Sequence, residues 1–212
     1  MYYFIEPMTE ADIPAVQQIE RQSFSTPWSA NTYRRELRNH QMCRYIVARV
    51  SATPPPPPNR QSPRLGGLLG QLFSSLFPPT DQNHTEAPIV GYGGVWLTVD
   101  DAHITTIAVD PSHRSRGIGE LLLNALIDHA YELHARMLTL EVRVSNTVAQ
   151  RLYVKYGFQP GGTRPRYYTD NNEDALIMWT EAIDSAAYKA QLAELRKQLF
   201  ARLRSQAENT TA

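Results

Sequence analysis

A glycine-bearing turn, Arg114-Ser115-Arg116-Gly117-Ile118-Gly119, constrains this 212-residue chain more than any other segment. Before it, residues 102–109, AHITTIAV, read as a strand, and after it residues 120–133 carry apolar side chains at helical spacing. The glycines therefore stand where a strand hands over to a helix N-terminus. At such a junction the unpaired backbone N–H groups and the positive end of the helix dipole favour a phosphate. Gly117 and Gly119 lack a Cβ, so a bulky ligand can approach the main chain, and Arg114 and Arg116 add positive charge. The plain alternative is an ordinary strand-to-helix turn. Two other phosphate-binding patterns fail on spacing. Gly119 is followed by Glu120 where a P-loop needs lysine, and Leu122 stands where a dinucleotide fingerprint needs its third glycine.

The rest of the chain fits an α/β protein with a mixed sheet and helices on both faces. Residues 2–6, 43–50, 89–97, 102–109 and 137–144 read as strands. Helices are expected over 9–24, capped by Thr9, over 29–37, capped by Ser29, over 117–134 and over 146–156. Residues 157–162 and 174–180 would close a final hairpin around a polar loop, giving the order βααβ–ββαβαββ. Residues 1–181 are expected to form one domain, broken by an insertion at 51–88 and followed by a C-terminal helix and tail over 182–212. The insertion opens with Pro54–Pro58, which favours extended backbone. Its Leu65, Leu68, Leu69, Leu72, Phe73, Leu76 and Phe77 recur on one helical face, as a tethered amphipathic element would, although Gly66, Gly67 and Gly70 weaken it. In the C-terminal stretch Tyr188, Leu192, Leu195, Leu199 and Leu203 form a stripe that would pack on the domain, with Arg196 and Arg202 largely elsewhere.

Twenty-one acidic and twenty-one basic residues cancel, so no charge argument points to nucleic acid or a membrane surface. A single cysteine, Cys43, excludes an internal disulfide and suits a reducing compartment. With neither a basic leader nor a long apolar run, the cytoplasm is the expected location. Scattered histidines with one cysteine make a metal site unexpected, and His103, His113 and His134 read as ordinary polar positions.

Glu141 lies on the strand LTLEVR, where an acid among apolar neighbours costs free energy unless it is paired or functional. Pairing with Arg143 or another cation would explain it without catalysis. Asn146 can cap the following helix or hydrogen-bond an amide-bearing ligand, and Tyr153 lies two turns into that helix. By itself Tyr153 could be a core tyrosine.

Together, the Arg-x-x-Gly-x-Gly turn, LEVRVSN, RLYVKYGF, RPRYYTDNNEDALIM and FSTPWS at 24–29 resemble the GCN5-related N-acetyltransferases (GNAT), and among them the ribosomal-protein-alanine, or RimI, type. The resemblance runs from about residue 2 to 180, is broken by the insertion, and leaves the C-terminal helix uncovered. It implies the GNAT acyltransferase fold and acetyl-coenzyme A as cosubstrate. Glu141 would be the proton acceptor and Tyr153 the proton donor. Ile107, Ala108 and Val109 would pair with the pantetheine arm. Arg114, Ser115, Arg116, Gly117, Ile118, Gly119 and Glu120 would surround the pyrophosphate, and Asn146 would touch the cofactor. Trp28, Tyr167 and Tyr168 would hold the N-terminus of a ribosomal protein, without direct contact to nucleic acid, in a chain expected to be monomeric. Two other readings stay open: acetylation of lysine or a small amine, and a coenzyme A-binding module that recruits a partner.

Overall fold

Two-residue alternation along the strands sorts apolar side chains onto the two faces of one sheet. In the computed structural model, which describes residues 1–54 and 87–209, seven strands form that sheet in the order β1-β2-β3-β4-β5-β7-β6. They are β1 (Tyr2–Pro7), β2 (Cys43–Ser51), β3 (Ile89–Thr98), β4 (Asp101–Val109), β5 (Met137–Arg143), β6 (Gln159–Tyr168) and β7 (Glu173–Trp179). The helices are α1 (Ile13–Ser23), α2 (Ala30–Arg38), α3 (Ile118–Glu132), α4 (Thr147–Lys155) and α5 (Ala186–Asn209). On β2, Ile46, Ala48 and Val50 enter a large core with Leu121, Leu122 and Leu126 of α3. Cys43, Tyr45 and Val47 enter a smaller core on the other face with Val16 and Ile19 of α1 and Tyr33 of α2. The expected order of elements and the mixed sheet are both present. The proline-rich insertion and its apolar stripe lie outside the described residues.

The feature that creates a candidate site is the junction of β4 and β5, the one parallel pair among the described residues. Their ladder runs only through Asp101↔Met137, Ala102↔Leu138 and His103↔Thr139, then stops. Just past that point β4 carries an extra residue, Thr105, because Gly94 pairs with Thr106 while Val95 pairs with Ile104. A bulge bends and twists its strand, here at the place where β4 leaves β5. Gly94, beside the bulge, leaves room for the Tyr45 ring, which a Cβ there would strike. The second half of β4 keeps β3 on one edge and leaves the other unpaired toward β5.

Several boundaries differ from expectation. The segment after Thr9 begins as a separate 3-10 turn, Glu10–Asp12. The Asp12 carboxylate accepts both Thr9 N–H and Thr9 Oγ1–H at 2.8 Å and also pairs with buried Arg49 at 2.6 Å. Pro14 then sits in the first turn of α1, where a missing N–H breaks no helical bond. Strand β6 does not end at 162 but continues to Tyr168, with breaks in register at Pro160/Gly162 and Arg164/Tyr168. Pro165 falls within the second irregularity, where the missing donor is tolerated. Tyr167 and Tyr168 therefore end a strand rather than ride a loop.

Helix α5 packs on the domain, as its apolar stripe implies, with Tyr188, Leu192 and Leu199 buried. Arg196 is on that buried face rather than off it. Its guanidinium donates to Asn124 Oδ1 at 3.1 Å and Asp128 Oδ1 at 2.7 Å, both on α3.

Candidate active site

The turn before α3 is shaped by two left-handed residues, Ser115 at φ 62° and Gly117 at φ 87°. Gly117 caps α3, and Leu121 N–H closes the first helical turn on Gly117 O at 2.9 Å. The N–H groups of Ile118, Gly119 and Glu120 thus belong to the first turn, where the helix itself supplies no acceptors. A Cβ on Gly119 would meet only Val109 Cγ2 at 3.8 Å, so this approach to the main chain is open. Gly117 has a further reason to be glycine: a Cβ would lie 3.2 Å from Leu203 Cδ2 and 3.3 Å from Arg202 Nη2 of α5.

The two arginines flank the turn from opposite directions. Arg114 donates to Val109 O at 3.2 Å and Ser23 Oγ at 3.3 Å, while Arg116 donates to Ser112 O at 3.1 Å and Tyr3 Oη at 3.4 Å. Ser115 is exposed and Ile118 is buried in the large core. The side chain of Glu120 does not join the turn's anion-facing surface. It is buried and accepts from Lys155 Nζ at 2.5 Å, Tyr156 Oη at 2.8 Å and Arg202 Nη2 at 2.6 Å. Burial would raise its pKa, but hydrogen bonds from Lys155, Arg202 and Tyr156 outweigh that and hold the group below its ordinary value. Only its main chain is left for a ligand at the turn. His113 sits in a 3-10 turn beside Ser112 and Asp110, and it is half-buried.

Leading into this turn, Ile107, Ala108 and Val109 pair with Gly93, Tyr92 and Gly91 of β3. Their other edge lies along the opening left by β5. Asn146 caps α4 by accepting Ala149 N–H at 3.2 Å and is exposed at the end of β5.

On the opposite wall stands Glu141. Its side chain is 8% exposed and both oxygens are engaged: Oε2 lies 3.1 Å from His103 Nε2 and Oε1 lies 3.1 Å from Arg164 Nη2. The His103 hydrogen bond, opposed by burial and assisted by the charges of His103 and Arg164, holds the Glu141 carboxyl below the usual carboxylate range. His103 Nδ1 is in turn 2.9 Å from Thr139 Oγ1, so β4 and β5 are tied together at the last rung of their ladder. The expected partner Arg143 serves elsewhere. It pairs with Asp170 at 2.9 Å and Glu173 at 3.0 Å and lies 3.9 Å from the Tyr168 ring centroid.

Two tyrosines at the end of β6 lie near this carboxylate. Tyr167 and Tyr168 meet edge to face at 5.2 Å, and Arg164 lies 5.6 Å from the Tyr167 centroid. Burial and then the charge of Glu141 raise the Tyr167 phenol, which places it near that acid. Tyr153 packs on Phe158 at 5.6 Å, and burial followed by the neighbouring Tyr168 pushes its phenol well above the ordinary value. Trp28, in the α1–α2 connection, packs at 5.7 Å and a 45° tilt against Tyr33 and supports the smaller core. That connection reaches the β6–β7 turn through Ser25 and Asp170.

Sequence reasoning singled out Glu141, Tyr153, Tyr167 and Tyr168 as candidates, but it passed over His103 and Arg164, which the structure brings onto Glu141. Each is one of many polar residues along its strand. Only the meeting of β4, β5 and β6 singles them out. Cys43 is buried in β2, hydrogen-bonded to Glu36 at 3.1 Å, and burial then Glu36 push its thiol up to about 12. Among the described residues no three His, Cys, Asp or Glu side chains group as a metal site, and no helix is long and apolar enough to cross a membrane.

Comparison with known proteins meets this geometry. Residues 59–158 match the model of the Acetyltransferase (GNAT) family. A Bacillus subtilis protein provisionally named a [ribosomal protein bS18]-alanine N-acetyltransferase is 37% identical over 175 residues, 82% of this chain and 93% of the relative. The Escherichia coli (strain K12) [ribosomal protein bS18]-alanine N-acetyltransferase is 30% identical over 176 residues, 82% of this chain and 94% of that protein. The crystal structure of the ribosomal-protein-S18-alanine N-acetyltransferase from Escherichia coli superposes with a TM-score of 0.62 at 26% identity, covering 87% of this chain and 96% of that one. Structures of the same fold hold coenzyme A or acetyl-coenzyme A. A mixed sheet split between β4 and β5, a glycine turn at the N-terminus of α3 and this extent of identity have one common meaning: the chain belongs to the GNAT family of acetyl-coenzyme A-dependent N-acetyltransferases.

Proposed function

We propose that this enzyme is a protein Nα-acetyltransferase that transfers acetyl from acetyl-coenzyme A to the N-terminal alanine of a small-subunit ribosomal protein. The observation that carries this reading is Glu141, an ionised carboxylate beside the β4–β5 opening with Tyr167 and Tyr168 near it and Tyr153 next to Tyr168. The named relatives act on ribosomal protein bS18, which supports an alanine terminus as acceptor. Ribosomal proteins and acetyl-coenzyme A meet in the cytoplasm, where we place the reaction.

The turn's backbone amides, with Arg114 and Arg116 at its sides, would bind the cosubstrate pyrophosphate. The free edge of Ile107–Val109 would accept the pantetheine arm as an added strand, with Asn146 at its side. Trp28, Tyr167 and Tyr168 would flank the acceptor's first residues. Holding amine and thioester in contact supplies much of the rate. Glu141 takes a proton from the α-amino group, directly or through one water, and the amine nitrogen bonds to the thioester carbonyl carbon. The C–S bond then breaks, and the Tyr153 hydroxyl gives its proton to the departing thiolate. The second proton lost by the new amide nitrogen returns to the Tyr153 phenolate, while Glu141 releases its proton to water. A phenol raised by burial stays protonated at neutral pH, which suits a donor.

Glu141→Gln keeps the shape of the side chain and removes the base. Turnover should fall by roughly 10²–10⁴-fold while coenzyme A affinity stays near that of the parent enzyme. Equal turnover would remove Glu141 as the base. An acceptor peptide with a blocked α-amine and a free lysine should stay unmodified; its acetylation would overturn the Nα assignment.

A further inference from the structure

The two oxygens of Glu141 are held by groups of different exposure. Oε2 faces His103, whose side chain is 25% exposed and whose other ring nitrogen is tied to Thr139. Oε1 faces Arg164, whose side chain is 55% exposed and which extends from an irregular stretch of β6. An ionised carboxylate only accepts hydrogen bonds, so His103 Nε2 carries the proton directed at it. In the neutral ring Nδ1 then accepts from Thr139 Oγ1–H. If the ring gains a second proton, the threonine hydroxyl rotates and accepts from Nδ1–H instead. Thr139 can therefore hold the ring in one orientation in both charge states.

We infer that His103 is the positioning residue of this enzyme, fixing the Glu141 carboxylate through Oε2, and that Arg164 is a displaceable cation keeping Oε1 for the acceptor's ammonium group. This inference rests on Glu141 being the base. The cationic head of Arg164 already satisfies the charge and donor direction that an α-ammonium needs at Oε1. The arginine has water to move into, whereas His103 is pinned at the last shared rung of β4 and β5. When the acceptor enters, the ammonium replaces Arg164 and its proton passes to Oε1. Deprotonation then occurs on an oxygen whose partner oxygen cannot rotate away. Among the described residues, Tyr167 and Tyr168 on β6 also lie near Glu141, and Thr139 on the strand of Glu141 backs His103.

The test is steady-state kinetics against pH with an alanine-starting peptide. Three substitutions at or behind the histidine, His103→Ala, His103→Gln and Thr139→Val, are compared with Arg164→Gln. His103→Ala should lower plateau kcat about tenfold and move the acidic limb of kcat/KM upward by about one pH unit, because the carboxylate loses a donor that favours its charged form. His103→Gln retains an N–H donor and should recover most of both. Thr139→Val should move the limb in the same direction by less. Arg164→Gln should lower KM for the peptide several-fold, since the ammonium no longer competes with a resident cation.

A role confined to stability would lower expression or Tm without moving the acidic limb. An unmoved limb in soluble His103→Ala overturns the positioning role, and if His103→Ala fails to fold, an unmoved limb in Thr139→Val with kcat within twofold of the parent overturns it instead. A tenfold rise in peptide KM for Arg164→Gln overturns the exchange. If Glu141→Gln keeps full turnover, the base assignment fails and this inference falls with it. If Glu141→Gln is inactive while His103→Ala and Thr139→Val match the parent, only this inference falls.

Discussion

Replacing Glu120 with glutamine separates a structural carboxylate from a cofactor-binding one. Glu120 stands at the third position of α3, next to the amides expected to face pyrophosphate, yet its side chain is 8% exposed and turned toward α4 and α5. It accepts three hydrogen bonds, two of them from cations. Hydrogen bonds to charged groups are each worth about 1.5–3 kcal/mol. The glutamine carbonyl can keep the Tyr156 bond. Tyr156 and Lys155 share Oε1, so the NH₂ takes the place of Oε2 and faces Arg202, which repels a donor, while Lys155 loses its anionic partner. Lys155 and Arg202 are 35% and 44% exposed and recover water, so the share of each is discounted to about 1 kcal/mol. The expected loss of stability is about 2–3 kcal/mol, which for a chain of this size lowers Tm by roughly 5–10 °C. Thermal unfolding by circular dichroism without ligand measures that, and KM for acetyl-coenzyme A at 25 °C measures the site. Removing a negative charge near a pyrophosphate site should leave that KM unchanged or lower. An unchanged Tm with a tenfold higher KM would refute the reasoning and assign the side chain to the cofactor.

The docking of α5 offers two more tests. Gly117→Ala places a Cβ on a residue at φ 87° and 3.2 Å from Leu203 Cδ2, so a loss of about 1–2 kcal/mol is expected, with faster hydrogen exchange in α5. Parent-like Tm and exchange would count against it. Burial pushes the Asp128 carboxyl up to about 6, against the pull of Arg196. Because the folded value is raised, the stability this group contributes is complete below its unfolded value near 4 and is lost as pH rises through about 6. Asp128→Asn should therefore flatten the urea midpoint between pH 4 and pH 7; an equal slope in parent and variant would exclude Asp128 as its source. Glu141 has the opposite sign. Its lowered pKa means that the His103–Glu141 contact stabilises at neutral pH and is lost as pH falls through the folded value. Glu141→Gln should lose part of the acid sensitivity of unfolding, and identical acid midpoints would refute this.

Local chemistry explains what could be read without coordinates. Strand and helix periods are properties of neighbouring residues, so the β4–turn–α3 junction, the order of elements and the packing stripe of α5 were all legible. Boundaries were less so. The 3-10 turn at Glu10–Asp12 depends on Arg49, thirty-seven positions away, and the length of β6 depends on its pairing with β7. Glu120 read as part of the turn because sequence shows adjacency but not direction. A helix turns each residue by about 100°, and that rotation carried its carboxylate away from the turn to Lys155 and Arg202.

By itself, the sequence determined the fold class, the glycine turn and the acid on β5, because periodicity, backbone freedom and residue chemistry act within a few positions. The partners of that acid were decided by the tertiary structure. His103 and Arg164 reach Glu141 only because the β4–β5 ladder ends at His103↔Thr139 and β6 folds back across β7. Register between strands is set by distant turns and by the packing of two cores. No spacing along the chain records it.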